Sequence, residues 1–127
     1  MTKQELAEKA VEYKHNGYNC AQAVVKSLSD NFKLPPEELL NMTAGFATGM
    51  GCMETTCGAL VGANMITGIQ TKGNGTIKKS RELFKEFEEA CGATICKDLK
   101  GRDTGKVICS CDDCVRNAVI AAVDILG

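Results

Sequence analysis

Apolar residues recur at helical spacing along nearly the whole chain, and this periodicity constrains the fold more than any other sequence feature. No comparable run of alternating residues predicts a strand. With 127 residues, of which 44% are hydrophobic, the chain can bury the core of one domain without help from crosslinks. We therefore predict an all-α fold, a single-domain bundle of about five to six helices over residues 1–127 with a glycine-rich loop. The clearest predicted helices cover residues 3–15, 20–32, 76–91 and 112–126, and a short helix follows the turn at Pro35 and Pro36.

A glycine-rich stretch lies near the middle of the chain. Residues 45–54 are predicted to form an irregular loop, and a helix is predicted to start near Thr55 and Thr56 and to end near Thr71. Small residues recur about one turn apart on this helix, which favours close packing against another helix. Room beside a cofactor and a homodimer interface are alternative interpretations. The small residues are Gly58, Ala59, Gly62 and Ala63.

The segment over residues 76–91 shows the strongest separation of apolar from charged residues. Four apolar side chains are predicted to face the core there: Ile77, Phe84, Phe87 and Cys91.

Eight cysteines are the main chemical feature of the sequence. The N-terminus has no basic start followed by an apolar stretch, so we expect a cytoplasmic protein whose thiols stay reduced. In that compartment, closely spaced cysteines indicate metal ligands or redox groups more than structural disulfides. They fall into four groups along the chain: Cys20; Cys52 and Cys57; Cys91 and Cys96; and Cys109, Cys111 and Cys114.

Composition argues against several other functions. The net charge is −1 and aromatic residues make up 5%, which does not favour nucleic-acid binding. No apolar run is long enough to span a membrane. His15 is the one histidine, so a Cys₂His₂ zinc finger is excluded, and Val115 after Cys114 excludes covalent haem attachment. The chain also carries no phosphate-binding loop and no recognisable catalytic motif, so whether it is an enzyme stays open.

Two cysteine positions are chemically favourable. Cys111 and Cys114 form a C-x-x-C at a predicted helix start, where both sulfurs could reach one metal or each other. Cys57 is predicted to lie in the first turn of its helix, a position expected to lower the pKa of a thiol. Cys52 and Cys57 match the start of the plant-type ferredoxin spacing, but Leu60 stands where its next cysteine is needed.

The order of four landmarks resembles the redox-active family named for its C…GCAxxG…C…C pattern. The landmarks are Cys20 within the run 17–23, the CGAxxG segment at 57–62, Cys96 followed by Leu99 and Gly101, and Cys114 at the last helix. Thr56 stands where the family pattern has glycine. The resemblance implies redox activity, and a related module in split-Soret-type cytochromes implies an iron–sulfur site. The haem-bearing part of those cytochromes has no counterpart here.

We therefore expect Cys20, Cys57, Cys96 and Cys114 to form a four-thiolate site for an iron–sulfur cluster, 2Fe–2S by preference, or for zinc or another thiophilic metal. Electron transfer to a redox partner protein and a possible homodimer go with this hypothesis. One alternative is a metal-free thiol–disulfide protein in which Cys57 or Cys114 attacks and Cys52 or Cys111 resolves the mixed disulfide. Another is a structural zinc module that mediates protein interactions. The remaining cysteines are possible further ligands, resolving thiols or core residues: Cys52, Cys91, Cys109 and Cys111.

Overall fold

The computed structural model describes residues 1–35 and 37–127, and the predicted turn at Pro36 lies outside them. Within the described residues the chain forms seven α-helices and no strand, which confirms the all-α prediction. The helix count exceeds the predicted five to six because the turn around Cys96 is a short helix of its own. The helices are α1 (Lys3–His15), α2 (Cys20–Phe32), α3 (Glu37–Thr43), α4 (Gly58–Thr71), α5 (Thr76–Cys91), α6 (Cys96–Lys100) and α7 (Cys111–Leu126).

Capping residues fix where α1 and α2 begin. The side chains of Thr2 and Asn19 each accept a hydrogen bond from the backbone N–H three residues on, and Glu5 and Gln22 bond back to the cap residue. Such reciprocal caps satisfy N–H groups that a helix start leaves unpaired. The cap at Asn19 places Cys20 at the first residue of α2.

The last helix occupies the centre of the bundle. It packs against α1, α2, α4 and α5, while α2 also packs against α1 and α4. Small and β-branched residues on α7 make this possible because neighbouring helices can approach them closely from several sides. Its buried residues are Cys114, Val115, Ala118, Val119, Ala121 and Ala122.

The core-facing side of α5 differs in part from the predicted one. Phe87 and Cys91 are buried as expected, but Ile77 is 74% exposed and Phe84 is 42% exposed. Leu83, one residue from Phe84, is buried instead. The helix is therefore rotated relative to the prediction, because the side that packs on α4 and α7 runs through Leu83, Phe87 and Cys91.

Close helix packing accounts for the small-residue face of α4. A Cβ atom added at Gly62 would lie 2.8 Å from the carbonyl oxygen of Ala21 on α2, and one at Gly58 would lie 2.6 Å from that of Phe46. This face is buried inside the chain, so it is not an exposed dimer interface. A homodimer formed by another surface stays a prediction.

None of the helices in the described ranges combines the length and apolar character needed to cross a bilayer.

Candidate functional site

A small cavity at one end of the bundle is lined by four thiols. It has a volume of about 50 Å³, more than the roughly 10–15 Å³ that one water molecule requires. The thiols come from the start of α2, the residue before α4, the start of α6 and the start of α7. The lining residues are Cys20, Thr48, Cys57, Gly58, Cys96, Lys100 and Cys111.

Backbone pairing places two of these thiols side by side. Thr56 and Ile95 form an isolated antiparallel bridge. The N–H of Cys57 donates to the carbonyl of Thr94 (2.8 Å), and the N–H of Cys96 donates to the carbonyl of Thr55 (3.0 Å). The bridge thus ties the segment before α4 to the segment before α6.

The glycines of α4 bring the third thiol to the same place. Because Gly62 has no side chain, α4 can approach the backbone of α2 at Ala21, the residue after Cys20. Gly58 allows the same close approach to residues 46 and 47. The CGAxxG segment therefore supplies the thiol of Cys57 and also the two glycines that position it opposite Cys20.

Cys20 and Cys111 both line the cavity, and each changes the acidity of the other. The hydrogen bond from Cys111 lowers the pKa of Cys20 to about 7, against the opposing effect of burial, and backbone N–H groups of Thr48 and Ala21 help. The same hydrogen bond and burial raise the pKa of Cys111. Of the two thiols, Cys20 is therefore the more readily ionised.

Cys57 differs from the prediction in both position and acidity. It is the N-cap residue of α4 and not part of its first turn, because residues 55–57 pair with residues 94–96. The hydrogen bond with Cys114 and burial raise the pKa of Cys57, so the expected lowering is wrong. At Cys57 these two effects outweigh the lowering by the backbone N–H of Ala59 at the helix start.

Lys100 is a functional candidate that the sequence reasoning missed. It lines the cavity, and its Nζ donates to Sγ of Cys114 (3.4 Å). Burial works to lower the pKa of this ammonium, but the sulfurs of Cys114, Cys57 and Cys111 hold it above its ordinary value. The spacing of Cys96 and Lys100, four apart on one short helix, was the available signal.

A second group of three thiols lies next to the cavity. The sulfurs of Cys91, Cys109 and Cys114 are all within 4.8 Å of one another, and this group can hold a metal ion. Cys91 ends α5, Cys109 precedes α7, and Cys114 lies in the first turn of α7. The backbone N–H of Cys109 donates to the carbonyl of Leu99 (3.3 Å), which folds the segment after α6 back onto it. We call these three residues the triad.

The structure separates the cysteine pairs that are closest in sequence. Cys111 faces the cavity, whereas the sulfur of Cys114 lies within 4.8 Å of those of Cys91 and Cys109. Cys96 lines the cavity, whereas Cys91 belongs to the triad. Of the four predicted ligands, three line one cavity: Cys20, Cys57 and Cys96. The fourth, Cys114, belongs to the triad and interacts with Cys57.

Two residues stay outside both groups. Cys52 is exposed, and its Sγ hydrogen bonds only to the carbonyl of Gly49 (3.6 Å) among the described residues. His15 is exposed and contacts Asp112 at the surface of the bundle (2.9 Å). All eight cysteines are free thiols in this structure.

The fold and the site together define a class: small all-α proteins that bring free thiols from several helices to one end of a bundle. Residues 18–125 match the model of the family described as "Putative redox-active protein (C_GCAxxG_C_C)". The match covers most of the chain, which therefore belongs to this redox-active cysteine-motif family. No curated protein and no solved structure matches the chain significantly.

Proposed function

We propose that this protein binds an iron–sulfur cluster at the cavity and passes electrons to a partner redox protein in the cytoplasm. The observation that carries the proposal is the convergence of Cys20, Cys57, Cys96 and Cys111 on one cavity from four separate segments. Four thiolates are the usual ligand set of a 2Fe–2S cluster. Convergence of four separate segments is hard to explain as ordinary core packing.

The spacing of the cavity thiols favours a cluster over a single ion. One tetrahedral ion with metal–sulfur distances of about 2.3 Å requires sulfurs about 3.8 Å apart. Among the described residues, only the triad brings three ligand atoms within 4.8 Å of one another. The cavity thiols are therefore spread more widely, as a group of several atoms requires. This argues against zinc at the cavity.

The fourth ligand distinguishes two versions of the proposal. The family pattern predicts Cys114, and that stays a prediction. Cys111 lines the cavity itself, so we propose Cys111 as the fourth ligand. Lys100 would offset part of the negative charge of the thiolates, which lowers the cost of holding them in a partly buried site.

The test is reconstitution of the reduced protein with iron and sulfide in the absence of oxygen. We expect about two irons and two sulfides per chain, visible absorption, and an electron paramagnetic resonance signal on reduction. Cys20→Ser and Cys96→Ser should lose the cluster, while Cys52→Ser, at the exposed cysteine, should keep it. Loss in Cys111→Ser with retention in Cys114→Ser supports Cys111 as ligand, and the reverse supports Cys114. Colourless, iron-free wild-type protein would contradict the proposal.

A second candidate function rests on the contact between Cys20 and Cys111. The thiolate of Cys20 would attack a disulfide of an oxidised partner, and Cys111 would then displace the partner's second sulfur. Two electrons pass to the partner, which leaves as a dithiol, and a Cys20–Cys111 disulfide forms. This assignment replaces Cys57 as the attacking thiol, because the pKa of Cys57 is raised. Mass spectrometry of metal-free protein oxidised by glutathione disulfide should then find this one crosslink, and a different pairing would exclude the candidate.

A further inference from the structure

The triad has features that inert core cysteines do not need. Cys91, Cys109 and Cys114 are 4%, 8% and 0% exposed and belong to the hydrophobic core. Buried cysteine often packs as a small apolar residue. Here, however, three sulfurs converge within 4.8 Å, and none of them is in a disulfide.

Two polar groups point their hydrogens at the triad. Nδ2 of Asn117 donates to Sγ of Cys91 (3.3 Å), and Nζ of Lys100 donates to Sγ of Cys114 (3.4 Å). A thiol is a weak acceptor, whereas a thiolate accepts such bonds strongly. Donors that orient and neutralise thiolates are typical surroundings of a metal site. The triad therefore has both ligands and supporting contacts.

The number and type of ligands restrict the metal. No histidine or carboxylate side chain of the described residues joins the three sulfurs, so the triad does not suit hard cations, which need several oxygen ligands. Structural zinc almost always takes four ligands, and the triad offers three. Soft thiolates select Cu(I), which tolerates low coordination.

The geometry agrees with a three-coordinate ion. With metal–sulfur distances of about 2.3 Å, three sulfurs in a plane around one ion lie about 4.0 Å apart. The sulfurs of the triad lie within 4.8 Å already, so binding requires only a small contraction. We propose that Cys91, Cys109 and Cys114 bind one Cu(I) ion, separately from the cavity. The thiols release their protons to solvent as the ion binds, and copper stays Cu(I) throughout.

The inference does not depend on the proposed cluster, and its test uses reduced protein without iron. Under exclusion of oxygen, the protein competes with a chromophoric Cu(I) chelator. We expect one tightly bound Cu(I) per chain. Cys91→Ser and Cys109→Ser should bind Cu(I) about 100-fold more weakly than the wild type, or more weakly still. Cys52→Ser is the matched control and should bind as the wild type does. If Cys20→Ser and Cys96→Ser lose copper while Cys91→Ser and Cys109→Ser keep it, the ion binds in the cavity and the proposal is wrong.

Two further measurements remain decisive if a cysteine variant fails to fold. Asn117→Leu keeps all three sulfurs and should weaken Cu(I) binding roughly tenfold, because it removes the donor to Cys91. X-ray absorption of the wild-type copper complex should show three sulfur neighbours at one distance. Two or four sulfur neighbours would overturn the proposal, and so would displacement of Cu(I) by an equal concentration of Zn(II).

Discussion

The cavity thiols and the triad use the same side chain in two different settings. The cavity collects its four thiols from four separate segments, and Cys111 there remains partly exposed. The triad takes its three from the end of α5 and the entry to α7, and all three are buried. The wider group suits a cluster of several atoms and the closer group suits a single ion. Spacing, more than the number of cysteines, thus decides what each group can bind.

The two groups also depend on different helix contacts. Cys20 and Cys57 face each other because α2 and α4 approach closely at glycine. The triad depends instead on how α5 ends beside α7. They meet at Cys114, which belongs to the triad and also raises the pKa of Cys57 in the cavity. Variants at these contacts should therefore affect one group, the other, or both.

The largest effect is expected for Gly62→Ala. The new methyl group would lie 2.8 Å from the carbonyl oxygen of Ala21 and must push α2 and α4 apart. We expect the free energy of unfolding to fall by roughly 3 kcal/mol, measured by urea denaturation. Cluster assembly at the cavity should fail while Cu(I) binding at the triad persists. Gly68→Ala on the same helix is the control, because nothing lies within 4 Å of its added Cβ atom. Equal stability of the two variants would contradict the packing argument.

Cys20 of the cavity should react with an alkylating reagent about 100-fold faster than Cys109 of the triad. At pH 7 Cys20, with a pKa of about 7, is about half thiolate, whereas burial raises the pKa of Cys109 to about 11 and leaves about one molecule in ten thousand ionised. The lower intrinsic nucleophilicity of the more acidic thiol offsets part of this difference. Pulsed iodoacetamide labelling of metal-free protein, read by mass spectrometry, should modify Cys20 long before Cys109. Labelling of Cys20 should rise with pH through its pKa of about 7 and level off about one to two pH units higher. Exposed Cys52 provides the reference for access.

The helix periodicity was sufficient to predict the fold, because the longer helices carry an apolar face and α1, α2 and α7 begin at side-chain caps. The first and second helices have the bounds that the pattern predicts, 3–15 and 20–32. The predicted start of α4 was wrong because it depends on the pairing of Thr56 with Ile95, two residues far apart in sequence. No local pattern near Thr56 carries that information. The rotation of α5 has a similar cause, since its buried side is chosen by the helices it meets.

The sequence predicted that cysteines form the candidate site, but it was a poorer guide to which cysteines lie together. Spacing suggested that Cys111 and Cys114 act together, yet they face different groups. Cys91 and Cys109 join through the order of helices in the bundle, and no motif links them. Cys109 and Cys114 are five positions apart, as are Cys52 and Cys57 and also Cys91 and Cys96. This spacing was the one local signal for the triad. Lys100 escaped notice because its one signal, a position four residues after Cys96, does not distinguish it from other lysines on helices.

Removal of Lys100 should weaken both groups together. Its ammonium contacts Cys114 and lines the cavity, so Lys100→Met removes a positive charge that acts on sulfurs of both groups. We expect roughly tenfold weaker binding of Cu(I) by the triad and of iron by the cavity. Competition with metal chelators measures both. Lys97→Met on the same helix is the control, because Lys97 bonds to Glu54 at the surface. An effect on only one group would mean that Lys100 does not couple them.

The smallest effect is expected at Glu86, which shares α5 with Cys91 but contacts neither group. Burial, a hydrogen bond to Asp124 and the charge of Asp124 raise the pKa of Glu86 to about 7, against a small opposing effect of Lys3. A carboxyl with a raised pKa favours the folded state below its unfolded pKa, and this stabilisation is lost as pH rises through 7.

Glu86→Gln keeps a donor for Asp124 without the charge. It should therefore raise the free energy of unfolding by about 1 kcal/mol at pH 8.5, after allowance for solvent screening, and change it little at pH 4.5. Urea denaturation at both values measures this difference, and Glu89→Gln, exposed on the same helix, is the control. Metal binding at both thiol groups should stay unchanged, because Glu86 contacts neither of them. A loss at the triad would mean that the whole end of α5, and not its sulfur alone, sets the geometry of that site.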